Sequence, residues 1–94
     1  MKIIVTERIA EEGIQHLRDS GFEVDVKLGL SHNELLEIIE NYDAIIVRSV
    51  TKVNAELIEK AKNLKVVGRA GNGIDNIDVE TCTRKGIIVV NTPE

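Results

Sequence analysis

The stretch FEVDVK (residues 22–27) alternates apolar and charged side chains, whereas KIIV (residues 2–5) and AIIV (residues 44–47) contain uninterrupted apolar runs. Alternation is typical of a strand with one face in water, and an uninterrupted run is typical of a strand buried on both faces. A strand with one wet face belongs at the edge of a sheet. The pattern therefore predicts that the second strand of the chain lies at an edge.

Two further runs, LKVVGRA (residues 64–70) and IIVVN (residues 87–91), predict a fourth and a fifth strand, and helical patterns separate all five. Such alternation indicates parallel strands joined by right-handed crossovers, with helices on both faces of the sheet. We therefore predict an α/β, flavodoxin-like three-layer domain whose five-stranded parallel sheet has the order 2-1-3-4-5. Ligands of such folds bind beyond the carboxyl ends of the strands, near the switch between the first and third strands.

Capping residues mark the ends of the predicted helices. Candidate N-caps precede the four helical segments, at Thr6, Ser31, Asn54 and Asp78. Ser31 and Glu34 have the spacing of a capping box, which defines the second helix best, and the apolar stripe of this helix runs to Tyr42. Gly21 and Gly86 are expected to end the first and fourth helices.

The composition excludes several classes of protein. Phe22 and Tyr42 are the only aromatic residues and the formal net charge is -4, so neither base stacking nor a basic surface supports a nucleic-acid partner. The single cysteine, Cys82, excludes an intramolecular disulfide, and no Cys or His spacing is typical of a metal site. No apolar run reaches the roughly 20 residues that span a bilayer. We expect a soluble, cytoplasmic protein with no membrane partner.

Polar side chains are expected to meet at the carboxyl edge of the sheet. The residues at the predicted strand exits are Thr6 and Glu7, Lys27, Arg48 and Ser49, Arg69 with the glycines after it, and Asn91 and Thr92. Arg48 and Arg69 each offer a planar fork that grips a carboxylate or a phosphate, and glycines let backbone N–H groups approach an oxyanion. This edge predicts a site for a small anionic substrate. The alternative is that both arginines pair with acidic residues on the surface.

The stretch GNGIDN (residues 71–76) resembles the start of a dinucleotide-binding loop, but its third glycine position holds Asn76. The loop also comes late in the chain, and the strand that follows it ends in Asn91 rather than in an acidic residue, so a pyrophosphate loop is not predicted. Two roles stay open for Gly71 and Gly73. They either allow a turn with positive φ or bring the backbone into contact with a ligand.

Other functions of the fold fail at particular residues. A phospho-receiver domain needs an aspartate where the third strand ends, and this chain has Arg48 there; a flavodoxin needs a hydroxyl-rich loop and aromatic residues that are absent. His16 and His32 are expected on the surface, Cys82 in the core, and Glu7 in the first turn of a helix. No catalytic general base can be assigned within the chain.

The stretch VRSVTKVNAELIEKAKNLKVVGRAGNGIDNIDVETCTRKGIIVVNTP (residues 47–93) closely resembles the D-isomer-specific 2-hydroxyacid dehydrogenases, and among them the phosphoglycerate-oxidising members. The first 46 residues resemble the family more loosely. The combination of the RS and TKV motifs, VGRAGNGIDNID and the final NTP carries the resemblance. It implies the flavodoxin-like fold of the family's substrate-binding lobe.

The resemblance also implies roles for individual residues. The implied substrate-binding residues are Arg48, Ser49, Arg69, Ala70, Gly71, Asn72 and Gly73, with Asn72 also touching the cofactor. The two arginines would contact the anionic groups of the substrate. The loop from Arg69 to Gly73, called the glycine loop, would point its backbone amides at the carboxylate of the substrate. The family's cofactor, NAD, would be bound mainly by a Rossmann domain that is absent from residues 1–94.

Four expectations follow from the same resemblance. The chain would be an inactive fragment, because the family's catalytic Arg, Glu and His lie in the missing domain. A helix that follows that domain would leave an apolar docking surface uncovered here. The longer parent protein would form a homo-oligomer. Its substrate would be 3-phosphoglycerate; the alternatives are another 2-hydroxyacid, such as glyoxylate or glycerate, and a non-catalytic anion-binding or regulatory module.

Overall fold

A computed structural model describes residues 1–92 of the chain. Five strands within these residues form one parallel sheet: β1 (Lys2–Val5), β2 (Glu23–Val26), β3 (Ala44–Val47), β4 (Val66–Ala70) and β5 (Ile88–Thr92). Their order is β2-β1-β3-β4-β5, which confirms the predicted topology. Pro93, the last residue of the NTP motif, lies outside the described residues.

Helices cover the two faces of this sheet unequally. They are α1 (Glu11–Asp19), α2 (His32–Ile38), α3 (Ala55–Lys60) and α4 (Val79–Arg84). Helices α2, α3 and α4 pack on the face that carries Ile4, Ile45 and Val67, all fully buried. Helix α1 packs on the opposite face, against a smaller cluster that contains Ile3 and Val5. Alternate residues of the central strands thus enter two cores, which explains their uninterrupted apolar sequence.

Strand β2 lies at one edge of the sheet, as its alternating sequence predicts. Val24 is buried and Val26 is exposed. Between them, Asp25 accepts a hydrogen bond of 2.7 Å from the hydroxyl of Tyr42, whose ring is buried. Burial and this contact with the carboxylate raise the pKa of Tyr42 to about 12. One of the two aromatic residues therefore ties the edge strand to the core.

The predicted caps are confirmed at three of the four helices. Ser31 and Glu34 form a complete capping box, and the side chains of Asn54 and Asp78 accept from the backbone N–H of Leu57 and Thr81, respectively. The second helix is shorter than predicted, because a turn of 3-10 helix (Ile39–Asn41) intervenes before Tyr42.

The prediction that Thr6 caps the first helix is wrong. Helix α1 begins five residues later, at Glu11. Thr6 instead extends the pairing of β1 with β3, donating its backbone N–H to Ile46 at 3.1 Å. Its buried hydroxyl lies 2.9 Å from that of Thr51. Residues 6–10 therefore connect β1 to α1 without belonging to either.

The fifth strand is displaced by one residue from the predicted range. The backbone N–H of Ile87 donates to the carbonyl of Cys82 at the end of α4, so pairing with β4 begins at Ile88. Asn91 and Thr92, predicted at the exit of this strand, lie within it and pair with Arg69 and Ala70. Strand β5 therefore ends one residue later than the sequence predicts, whereas β4 ends at Ala70 as predicted.

One face of β5 is apolar and open. Ile88 is 61% exposed and Val90 is 44% exposed, although both belong to a strand of apolar sequence. They lie on the face that α1 covers only in part, beside Val66 and Gly68 of β4. What covers this surface in a longer protein stays a prediction. None of the helices within residues 1–92 is long and apolar enough to cross a membrane.

Two glycines in open space provide a test of the backbone. Gly13 lies inside α1, and Gly29 lies in a turn at φ 76°. Apart from chain neighbours and the backbone of α1 itself, a Cβ added at either glycine would meet no described atom within 4 Å. We expect Gly13→Ala to raise the free energy of unfolding by about 0.5–1 kcal/mol, because alanine loses less conformational entropy in a helix. Gly29→Ala should lower it by roughly 1 kcal/mol, because φ there is positive. Urea denaturation measures both, and equal signs would contradict the assigned conformations.

Candidate functional site

A pocket opens where β3 and β4 end. It has a volume of about 380 Å³ and is lined by Arg48, Ser49, Arg69, Ala70, Gly71 and Asn72. These are six of the seven predicted substrate-binding residues, and the seventh, Gly73, follows directly in the chain. A larger groove of about 880 Å³ runs along α1 and β2, but no residue of the glycine loop lines it. The structure therefore brings the predicted residues together, and their role in binding stays a prediction.

Arg69 joins the two sides of this pocket. Its Nε donates to the carbonyl of Arg48 at 3.1 Å, and its Nη1 donates to the carbonyl of Asn72 at 2.6 Å. Arg48 in turn reaches the carbonyl of Arg8 at 3.5 Å. Backbone carbonyls thus contact both guanidinium groups, although Arg8 is not among the residues that line the pocket. Titration with an anionic substrate would distinguish anion binding by these arginines from the alternative role in surface ion pairs.

The glycine loop needs glycine for conformational reasons. Gly71 has φ 123° and Gly73 has φ 91°, so the positive-φ turn is confirmed at both positions. A Cβ at Gly73 would also lie 2.8 Å from Nη1 of Arg69. The bare backbone of Gly73 therefore leaves room for the arginine that closes the loop. Direct contact of these glycines with a ligand stays a prediction.

Asn76 stands where a nucleotide loop would have its third glycine. Its side chain contacts the backbone beside the pocket. It is only 7% exposed. Its Nδ2 donates to the carbonyl of Arg48 at 2.6 Å and to that of Thr51 at 2.7 Å. Its Oδ1 is buried without a hydrogen-bond partner among the described residues. Asn76 thus connects the glycine loop to the segment that follows β3 (residues 48–51).

The prediction that Glu7 lies in the first turn of a helix is wrong, because α1 begins only at Glu11. Glu7 instead binds backbone groups of the segment that follows β3. Its Oε2 accepts from the backbone N–H of Arg48 at 2.7 Å and of Thr51 at 2.9 Å, and its Oε1 accepts from that of Val50 at 3.0 Å. Burial alone would raise the pKa of Glu7, but these hydrogen bonds outweigh it and hold the pKa below the ordinary value. Glu7 is therefore an internal anion bound by the segment after β3.

The remaining candidates lie away from the pocket. His16 is exposed on α1, and the half-buried His32 lies 2.9 Å from a carboxylate oxygen of Glu56. Cys82 is fully buried, and burial, with a smaller effect of Asp78, raises the pKa of its thiol, which confirms a core residue. Within residues 1–92, no three His, Cys, Asp or Glu side chains are arranged to hold a metal ion.

The sequence matches the family model described as D-isomer specific 2-hydroxyacid dehydrogenase, catalytic domain, over residues 3–94. The chain therefore belongs to the D-isomer-specific 2-hydroxyacid dehydrogenase family, as its motifs indicate. The D-3-phosphoglycerate dehydrogenases of Archaeoglobus fulgidus and Methanocaldococcus jannaschii are each 55% identical to it. These alignments cover 99% and 100% of this chain but only 18% of each relative.

Solved structures share the fold. The NAD⁺-bound 3-phosphoglycerate dehydrogenase of Entamoeba histolytica is 36% identical with a TM-score of 0.86, over 99% of this chain and 33% of that one. A protein of Pyrococcus horikoshii is 35% identical with a TM-score of 0.91, over 97% of this chain and 27% of the other. The chain thus corresponds to about a third or less of these relatives.

Replacement of Asn76 tests its support of the pocket. Asn76→Ala removes both amide hydrogen bonds and leaves the carbonyl of Thr51 without this buried donor. We expect the free energy of unfolding to fall by about 1–2 kcal/mol, because the loss of two hydrogen bonds outweighs the removal of the unpartnered Oδ1. The matched control is Asn63→Ala, which removes an exposed hydrogen bond to the carbonyl of Glu40 and should cost less than about 1 kcal/mol. Equal losses in urea denaturation would contradict a special role for Asn76.

Acid titration tests the contacts of Glu7. Because its pKa is lowered on folding, the contacts stabilise the chain above the unfolded pKa and are lost as pH falls through the folded one. We expect the backbone amide signals of Arg48, Val50 and Thr51 to shift together in NMR spectra, with one midpoint below the ordinary glutamate value. Glu7→Gln should abolish this shared transition. Three separate midpoints would contradict a single carboxylate as the cause.

Proposed function

We propose that this chain is the substrate-binding part of an NAD-dependent dehydrogenase that oxidises the 2-hydroxyl of D-3-phosphoglycerate, the first step of serine biosynthesis. The observation that carries the proposal is the pocket of Arg48, Arg69 and the glycine loop in a member of this family. The identity of 55% to two D-3-phosphoglycerate dehydrogenases favours this substrate over other 2-hydroxyacids.

The proposed substrate carries a carboxylate and a phosphate, and two arginines, Arg48 and Arg69, line the pocket. Arginine forks bind both kinds of anion through paired N–H donors. The hydroxyl of Ser49, which is exposed at the pocket, adds a further donor. Each charge-assisted contact contributes roughly 1.5–3 kcal/mol. Two or three such contacts would hold and orient a small metabolite.

NAD accepts a hydride from the substrate carbon when it is bound in such an enzyme. The glycine loop does not fit a pyrophosphate, because Asn76 fills the third glycine position and Arg69 occupies the space beside Gly73. The chain would therefore offer the cofactor only the exposed Asn72 at the edge of the pocket. Its own residues would bind and orient the substrate. We expect residues 1–94 alone to produce no NADH from 3-phosphoglycerate.

Titration of the chain with 3-phosphoglycerate tests the site. We expect amide shifts at Arg48 and at the loop from Ala70 to Gly73 in NMR spectra. Arg48→Gln removes a guanidinium without removing the backbone carbonyl that Arg69 and Asn76 contact. It should weaken binding about tenfold or more, the loss of one charge-assisted contact.

The matched control for this titration is Lys60→Gln, which removes the same charge from the exposed end of α3. It should leave the dissociation constant within about twofold, because exposed charges are screened by solvent and salt. Equal weakening by both variants would mean that the pocket is not the site. An absence of shifts in the wild-type chain would contradict the proposed function.

An assay of a longer protein that contains this chain tests the substrate. NADH formation with 3-phosphoglycerate, and little with glycerate, is the expected result. Turnover of glyoxylate or lactate without turnover of 3-phosphoglycerate would contradict the substrate while leaving the family's chemistry in place. An absence of turnover together with anion binding would favour a regulatory module.

A further inference from the structure

We propose that Glu7 is the positioning residue of the anion pocket: its carboxylate binds the segment after β3 and thereby holds Arg48 and Ser49 in their binding positions. The proposal rests on the proposed function, since it assigns a device that prepares the same pocket. Glu7 itself is not among the residues that line the pocket. It would therefore act on the substrate only through other residues.

The contacts on the N–H side of the segment come from one side chain. Two oxygens of Glu7 accept from the backbone N–H groups of Arg48, Val50 and Thr51, at 2.7–3.0 Å. Converging backbone N–H groups form a concavity that binds anions. Here the concavity is filled by an anion of the chain itself. An external substrate must then meet the side chains of Arg48 and Ser49 rather than these amides.

The contacts on the carbonyl side come from the other half of the pocket. The carbonyl of Arg48 accepts from Nε of Arg69 and from Nδ2 of Asn76, and the carbonyl of Thr51 also accepts from Asn76. Arg48 is therefore held at both its N–H and its C=O. A displacement of the Arg48 backbone would therefore also displace Arg69. Through the Arg48 backbone, Glu7 thus influences the positions of both arginines.

The sign of the effect on binding distinguishes positioning from simple charge. A carboxylate near an anion site repels the ligand, so removing its charge would strengthen binding if charge were its only effect. Positioning predicts the opposite. In Glu7→Gln, an amide NH₂ would face backbone N–H donors, and one oxygen would remain to accept what two accept now. The segment would open and anion affinity would fall.

The experiment measures binding of 3-phosphoglycerate and of inorganic phosphate to wild type, Glu7→Gln and Glu7→Asp by NMR. We expect Glu7→Gln to weaken binding about tenfold, and Glu7→Asp to lie between it and wild type because its carboxylate is one methylene shorter. The control is Glu12→Gln, which removes the same charge from an exposed site in the first turn of α1 and should not weaken binding.

Hydrogen exchange provides a readout that does not depend on a ligand. The amides of Arg48, Val50 and Thr51 should exchange about tenfold faster or more in Glu7→Gln than in wild type, while those of the central strands stay protected. Unchanged exchange at these three amides would overturn the proposal. So would equal or tighter anion binding by Glu7→Gln.

The outcomes separate this proposal from the proposed function. Loss of protection at the three amides, with no anion binding even by wild type, would support the role of Glu7 in holding the segment and reject the anion site. Should Glu7→Gln fail to fold, two other comparisons replace it. One is Glu7→Asp, and the other is the protection of the three amides in wild type at pH values above and below the titration of Glu7. Protection that does not change across that transition would overturn the proposal.

Discussion

The pairing of β1 with β3 is the constraint on which the site depends. The register places Ile4 beside Ile45 and Val5 beside Ile46, so the segments that leave the two strands begin side by side. Ile4 and Ile45 are both fully buried, and burial of each side chain contributes roughly 1.5–3 kcal/mol. A slip of one residue in a strand would move its side chains from the larger core to the smaller one and the reverse. The energy that fixes the sheet thus also brings a carboxylate on one segment to the amides of the other.

The sequence predicted the fold well because the relevant signals are local. The alternation of residues 22–27 located the edge strand, and Ser31, Asn54 and Asp78 marked helix starts by short-range hydrogen bonds. It also predicted which residues gather at the pocket, since strand ends of a parallel sheet share one edge. The role of Glu7 could not be predicted, because its partners lie 41 to 44 residues away and a carboxylate after a strand matches a helix first turn equally well.

The pocket is organised by contacts within the chain itself. Glu7, Arg69 and Asn76 contact backbone groups of the segment after β3, and these contacts come from three different parts of the sequence. A site held in this way loses less entropy when it binds a ligand than a site on a mobile loop. This chain corresponds to 18% of the length of its D-3-phosphoglycerate dehydrogenase relatives, yet it holds the pocket walls together within that length.

The two glycines of the loop also determine where the sequence is free to vary. Gly71 and Gly73 are restricted by positive φ, and a Cβ at Gly73 would also require the guanidinium of Arg69 to shift. Asn72 lies between them and is exposed, and its backbone carbonyl accepts a hydrogen bond from Arg69. A substitution at Asn72 would therefore change the chemistry at the mouth of the pocket while keeping the backbone path. In the proposed anion site, ligand preference would therefore change at Asn72 at little cost in stability.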